Sequence, residues 1–388
     1  MYSLNTISHS RKILFLLFFL YTSANSWAQF KVSGSVLNAG TGTPLAQASV
    51  YINNSTSGTV SNEKGEFEFM VKRPGFYEIV VSYVGFQTLV YKTTIQDKDL
   101  RITFKLDPKP TALRNVVVLT DKTRQRWLQI FRDNFLGITA AAARSKIENE
   151  DEVLFEVEEN SKAIMAFSNL PLVIVNKELG YRIHFQLESF YYHQQEGRTY
   201  FFGYTRYEEL KERNKVPARY IRNRINAYKG SSMHFFHSLI DNDLTEQGFA
   251  LLRMQPLERS DVRAQQGNGM NTFRFGGDKM YVGAAVVVDS ILKKDSSQTE
   301  GAVYSMQWEG RLRIKYRFDP SGKSFLMRTQ LLSDGIGKGT TSYIDLLEKS
   351  LFLDKNGAMY NPMAIQLSGY WSYEKLANML PINYRPGD

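Results

Sequence analysis

The chain contains no cysteine. That absence excludes disulfides, thiolate metal sites and a cysteine nucleophile, and it removes the residue that carries a bacterial lipid anchor. Long apolar runs are missing as well. The run Ile13–Tyr21 (ILFLLFFLY) falls far short of the ~20 residues needed to span a bilayer as a helix. No HExxH, no GxSxG elbow and no Walker phosphate loop occurs, so zinc hydrolysis, elbow-type acyl transfer and P-loop nucleotide binding lose their usual signatures. Asp241-Asn242-Asp243 lacks the later Asp or Asn, the Gly and the Glu of a calcium-binding EF-hand loop. Carboxylate pairs such as Glu158-Glu159 are present, but sequence does not place two carboxylates across a glycosidic bond.

Aromatic residues, by contrast, are plentiful. The 25 Phe and 22 Tyr favour strands over helices. With 388 residues the chain has room for two or three domains of roughly 100–200 residues each.

Residues 1–28 have the form of an export leader. Arg11 and Lys12 supply the basic start, Ile13–Tyr21 the apolar core, and Ser26-Trp27-Ala28 the small residues before a cut ahead of Gln29. The expected location is therefore the periplasm or the outer membrane, without a lipid anchor. The +9 net charge of the whole chain loses Arg11 and Lys12 with that leader, leaving +7. In an exported protein this basicity points to anionic polysaccharide or lipid head groups rather than nucleic acid. Association with a membrane surface is compatible with it.

Residues 29–107 alternate in the manner of a small β-sandwich. Phe30, Val32 and Val36 share a face; Ala48, Val50 and Ile52 point inward, with Ser49, Tyr51 and Asn53 expected outside. Ser61–Gly65 forms a turn, because Asn62 can bond its own backbone and Gly65 accepts a positive φ. Phe67, Phe69 and Val71 resume the buried face, Ile79, Val81 and Tyr83 follow, and Leu100, Ile102, Phe104 and Leu106 close it.

This stretch resembles the carboxypeptidase regulatory-like domain, a transthyretin-like β-sandwich. The residues that carry the likeness are Val32-Ser33-Gly34-Ser35-Val36, Pro44-Leu45 before Ala48-Ser49-Val50, Gly58–Asn62 with Gly65 and Phe67, and Val81–Phe86. Asn62 stands where the family usually has Asp, which keeps the turn chemistry. The module is also similar to the N-terminal extension of TonB-dependent outer-membrane receptors, and Leu113–Val118 resembles the strand that follows it there. The resemblance implies a Gram-negative envelope and an accessory module, not a peptidase. The stretch holds no histidine to serve as a zinc ligand.

Residues 108–121 read as a linker and strand, stiffened by Pro108 and Pro110. Residues 122–388 are expected to form a larger antiparallel β-rich domain with a few helices, so the fold class is mainly β with an α+β C-terminal part. Thr120 or Asp121 can cap a helix reaching about Leu136, with Trp127, Ile130, Phe131 and Phe135 on one side. Leu172–Val175, a turn at Asn176–Gly180 and Tyr181–Tyr192 form a hairpin, and Tyr200–Tyr204 a further strand. Residues 206–240 turn helical, with Pro217 in a first turn, Gly230 closing one helix and Ser231 or Ser232 opening the next. Arg206–Lys229 holds eight Lys and Arg against three Glu, a solvated face or a patch for an anionic polymer. Asp319–Gly322 joins two strands, Asp354–Gly357 makes a turn, and Ser372 is expected to cap a short helix in a docked aromatic terminus. The FLGIT, PLVIVNKELGY and SGYWSYEKL stretches make the remainder similar to uncharacterised proteins that carry the regulatory-like domain.

Two sets of residues are candidates for function. In Arg311–Phe318 the period-two pattern puts Arg311, Arg313, Lys315 and Arg317 on one face. Same-face neighbours lie only about 6.6 Å apart, so they need cross-strand carboxylates or an anionic ligand. His234 and His237, three residues apart, with Asp241 nearby, make the second set, a metal cluster for a hydrolase. The preferred reading is a non-enzymatic envelope protein, without cofactor or metal, whose partner is an envelope polysaccharide or an outer-membrane protein. The alternatives are the metal-dependent hydrolase and a small outer-membrane barrel of residues 150–388.

Overall fold

The computed structural model describes residues 29–109, 119–156, 163–257, 271–275, 279–295, 303–317 and 340–387. The leader, the Leu113–Val118 likeness, Glu158-Glu159 and the Asp319–Gly322 turn lie outside them. The described strands and helices gather around three hydrophobic cores.

The first core belongs to the sandwich. Its strands are β1 (Phe30–Asn38), β2 (Ser49–Ile52), β3 (Gly58–Val60), β4 (Glu66–Val71), β5 (Gly75–Ser82), β6 (Leu89–Ile95) and β7 (Leu100–Leu106). One sheet runs β4-β1-β7, the other β3-β2-β5-β6, and β1 pairs with β7 in parallel. Alternation works as the sequence dictates: Phe67, Phe69 and Val71 are buried while Glu66 and Glu68 face water. Tyr51 departs from that expectation. It is only 4% exposed although it points away from the sandwich core. Its neighbour across the sheet, Val80, is likewise fully buried outside that core. The outer face of β2 and β5 is therefore covered, and Tyr204, Arg206 and Glu188 of the following region surround the Tyr51 hydroxyl.

The second core forms where a helix crosses a sheet. Helix α1 (Asp121–Phe135) is capped by Thr120, whose hydroxyl accepts the Thr123 N–H. Helix α2 (Ala140–Ala143) and β8 (Ser145–Ile147), β9 (Val153–Glu156), β10 (Ala163–Ser168) and β11 (Leu172–Asn176) lead to the long hairpin of β12 (Tyr181–His193) and β13 (Arg198–Glu209). Strand β12 pairs with β13 along one edge and with β11 and then β10 along the other. Phe131 and Phe135 of α1 meet Phe190, Phe185 and Phe201 edge-on at 4.9–5.2 Å between ring centres. Each fully buried ring contributes about 1.5–3 kcal/mol of transfer free energy. The turn at Asn176–Gly180 falls where the sequence places it.

Residues 206–209, expected to be helical, instead complete β13, because their backbone pairs with Tyr181–His184 of β12. Helicity begins only at α3 (Ala218–Tyr228) and resumes in α4 (Ser232–Asp241). Pro217 stands just before α3 as its N-cap, and Ser231 caps α4 by accepting the His234 N–H.

The third core packs α4 against β14 (Phe249–Leu257), β17 (Leu292–Asp295), β18 (Val303–Met306), β19 (Arg311–Tyr316), β20 (Thr340–Leu346), β21 (Leu351–Leu353) and β22 (Ile365–Gly369), while β15 (Asn271–Phe275) and β16 (Lys279–Ala285) extend the sheet beyond β14. The sheet orders are β15-β16-β14-β19-β20-β22 and β17-β18-β21. After residue 150 the described strands thus lie in separate sheets with free ends, not in one closed cylinder, which removes the barrel alternative for them. The chain then returns to the other two cores. Leu376, Ala377 and Leu380 enter the second core, and the Ile382 N–H donates to the Asn54 carbonyl of the sandwich at 2.6 Å. Ser372 caps no helix; its hydroxyl donates to the Gly369 carbonyl at 2.7 Å within a single turn.

Candidate functional site

The basic strand is the first place to look. Arg311 meets Asp345 of the neighbouring β20 through two bonds, Nε to Oδ1 at 2.6 Å and Nη2 to Oδ2 at 2.5 Å. Arg313 is 7% exposed and sits within the sheet, Lys315 is half-buried, and Arg317 is exposed beyond the strand end. A carboxylate on the next strand thus answers the first of the four cations, as cross-strand pairing predicts. The other basic segment behaves similarly. Arg206 and Arg219 pair with Glu208 and Glu212. Arg224, 5% exposed, donates to the Leu179 and Gly180 carbonyls and to Glu209 Oε1 at 2.8, 3.0 and 2.7 Å, and stacks on Tyr181. It pins a turn rather than meeting a polymer.

The histidines do not assemble a metal centre. His234 Nδ1 accepts the Gly230 N–H at 3.1 Å, which puts the ring proton of the neutral imidazole on Nε2, facing Gln247 Oε1 at 3.1 Å. Both nitrogens are thereby used. His237 Nδ1 bonds the Tyr228 hydroxyl at 2.8 Å, and burial with nearby Arg385 pushes its pKa down to about 3. Asp241 lies exposed at the end of α4. Among the described residues, no group of three or more His, Cys, Asp or Glu side chains is arranged to hold a metal ion.

A different surface combines exposure with unusual chemistry. Along β13, alternation turns Phe201 toward α1 and sends Tyr200, Phe202 and Tyr204 to the opposite face. Tyr200 is 40% and Phe202 44% exposed. Across the ladder Tyr191 stands opposite Tyr200, and His193 opposite Arg198. Phe202 and Tyr204 lie edge-to-face at 5.4 Å, and Tyr191 stacks on His193 at 6.4 Å. The rings line one face of the hairpin, with the Arg198–Glu196 pair at its outer end and Glu188 near Tyr204. At its inner end the row meets the sandwich, where Tyr204 and Tyr51 are neighbours. The period of YFFGY gives the alternation. That its aromatic face meets water was not readable, because either face of a sheet can be covered.

Residues 32–118 match the CarboxypepD_reg-like domain family. This stretch is a CarboxypepD_reg-like domain. Its described part is the seven-stranded sandwich, and residues 110–118 of the match lie outside the description. No curated protein matches the chain significantly. Among solved structures, a type II cohesin–X-dockerin complex from Acetivibrio cellulolyticus aligns at 21% identity over 19% of this chain and 52% of that one, with a TM-score of 0.17. The match thus spans about half the length of that solved chain. A candidate membrane-associated protein of unknown function from Bacteroides fragilis aligns at 16% identity over 41% of this chain and 65% of that one, with a TM-score of 0.18. A candidate carbohydrate-binding protein from Bacteroides uniformis aligns at 9% over 84% and 98%, with a TM-score of 0.18. Likenesses this distant carry no functional argument for the chain. What the CarboxypepD_reg-like domain does contribute is a platform: its β2–β5 face and the loop after β2 dock beside the aromatic row. No helix among the described residues is long and apolar enough to cross a membrane.

Proposed function

We propose that this protein is an exported, non-enzymatic binding protein of the Gram-negative envelope, and that the aromatic row on the β12–β13 hairpin receives a polysaccharide. The observation that carries the reading is the exposure of Tyr200 and Phe202 on one face of the paired β12–β13 sheet. A pyranose ring offers an apolar C–H face that lies flat on an aromatic side chain, while its rim of hydroxyls bonds charged and polar groups. The Arg198–Glu196 pair at the outer end and Glu188 near Tyr204 are the charged groups beside the row. The leader-like first 28 residues support export, and the regulatory-like sandwich supports an accessory rather than a catalytic role.

The test is a glycan array probed with the mature protein, its Tyr200→Ala/Phe202→Ala double variant, and Arg317→Glu as a probe of the basic strand. Each ring removed weakens glycan binding by about tenfold, from the ~1.4 kcal/mol that an aromatic contact supplies. Arg317→Glu leaves the binding profile unchanged. Undiminished binding by the double variant refutes the aromatic site, and selective loss in Arg317→Glu transfers the site to the Arg311–Arg317 strand.

A further inference from the structure

Where the three cores meet, the chain leaves a cavity of about 280 Å³. Its walls are contributed by β13, α3, α4, the turn after β21, and the C-terminal tail. Met233, Phe236, Met359, Trp371 and Met379 make most of the lining apolar. Three methionines give that wall unbranched, adaptable side chains that reshape around a guest. One end is polar. There Glu374 Oε2 accepts the Ser232 N–H at 3.2 Å and the Ser232 hydroxyl at 3.1 Å, at the start of α4. Glu374 keeps some accessible surface, and it lines the cavity.

We propose that this cavity is a binding site for a small neutral amphiphile: an alkyl chain ending in an amide or a similar uncharged hydrogen-bond acceptor. Volume limits the guest. At ~30 Å³ per water the space holds about nine waters, or a ligand of about ten heavy atoms. Those waters have few partners along the methionine and aromatic walls, so an alkyl chain displaces them favourably. The polar end selects the head group. Burial pushes the Glu374 carboxyl up to about 8, so at neutral pH it holds its proton. With Oε2 occupied by Ser232, the other oxygen is a donor and calls for an acceptor. The other titratable groups that line the cavity are uncharged, so neither a cationic nor an anionic guest finds a counter-charge there. His237 lines it and is itself held neutral by burial and by Arg385 and Arg73; Tyr207 lines it from β13; Lys375 follows Glu374 in the chain. A carboxylate guest would give up its hydration in a mostly apolar chamber.

This inference is independent of the glycan reading, since the aromatic row lies on a different surface. The probe is octanamide, followed by calorimetry and by the shift in Tm of the full-length mature protein, with octylammonium and octanoate as charged counterparts. Octanamide binds at about pH 6.5 and weakens at least tenfold by about pH 9.5, as Glu374 ionises and loses its donor proton. Glu374→Gln keeps an N–H donor, so it retains binding and abolishes the pH dependence. Met379→Trp, at a position 41% exposed on the cavity rim, fills the chamber without disturbing a core and weakens octanamide at least tenfold. Failure of the parent to bind octanamide, tighter binding of either charged counterpart, or unaltered binding by Met379→Trp overturns the proposal.

Discussion

Asn54 of the sandwich and Thr205 of the long hairpin are joined through their backbones: the Asn54 N–H donates to the Thr205 carbonyl at 2.7 Å, and the Asn53 side chain accepts the Thr205 N–H at 3.0 Å. The same loop receives the Ile382 N–H on the Asn54 carbonyl, and Asn383 bonds Thr56 from a position 327 residues later. Opposite, Asp354 Oδ2 accepts the Phe76 N–H at 3.2 Å, and Phe76 stacks on Tyr360 at 4.0 Å. The sandwich is therefore clamped from several sides, and its orientation beside the aromatic row is fixed by bonds rather than by a linker alone.

Tyr51 is the apolar part of that clamp. Truncating it removes a buried ring from the junction but leaves the sandwich core intact, since Tyr51 is not part of it. Tyr51→Ala is expected to lower stability by about 3–5 kcal/mol and to split thermal unfolding into two transitions. Calorimetry checks this; a single, unshifted transition would show that the face of β2 and β5 carries no docking energy.

Arg224 holds the turn between β11 and β12 through two carbonyls, Glu209 and the Tyr181 ring. Removing the guanidinium deprives the buried Leu179 carbonyl of its donor and empties the space over Tyr181, while Glu209, on the exposed side, returns to water and the Gly180 carbonyl keeps the Leu210 N–H. Arg224→Ala is expected to cost about 1–3 kcal/mol, and Arg224→Lys to recover only part of it, because an ammonium lacks the planar fork. Urea denaturation of both variants gives the comparison.

Gly180 sits in the same turn with φ +71°, and a Cβ there would lie 2.2 Å from the Tyr220 ring. Neither the backbone nor the ring has room to yield cheaply. Gly180→Ala is expected to destabilise by about 2–4 kcal/mol from left-handed strain and overpacking together. A melting temperature equal to the parent's would contradict that packing.

Two buried groups give opposing pH dependences. Glu374 has a pKa raised from 4.5 to about 8, so the folded protein holds a proton that the unfolded chain has released, and stability falls as pH rises between those values. His237 is lowered from 6.5 to about 3, so the unfolded chain binds the extra proton, and stability is lost as pH falls from 6.5 toward 3. Between the unfolded values of 4.5 and 6.5 the Glu374 slope opposes the His237 slope, but His234 and His184, whose pKa burial also lowers, add to the acid-side loss, which predicts a maximum near 6.5 with a decline on each side. Denaturation midpoints across pH, repeated with Glu374→Gln, check the assignment: that variant should lose the decline above 6.5 and keep the acid one.

Much of the architecture was legible from local patterns. The Val32, Val36, Phe67 and Phe69 alternation, the Thr120 cap with Phe131 and Phe135 at helical spacing, and the Asn176–Gly180 turn all depend on periodicity and turn chemistry that neighbouring residues determine among themselves. Cross-strand pairing was readable as a requirement, since clustered cations on one strand demand an answer, but not as the particular pair Arg311–Asp345, 34 residues apart.

The strand-rich class, the sandwich with its likeness to the regulatory-like family, and the absence of cysteine chemistry all reside in residue type and short-range spacing. Which faces meet water and which meet another core depends instead on how distant segments pack. Tyr51 and Phe202 both alternate away from their own cores, yet one is sealed under the neighbouring hairpin and the other is open. Residues distant in sequence make that choice, and they do so again at Glu374, whose carboxyl is tuned by its enclosure against Ser232, 142 positions earlier in the chain.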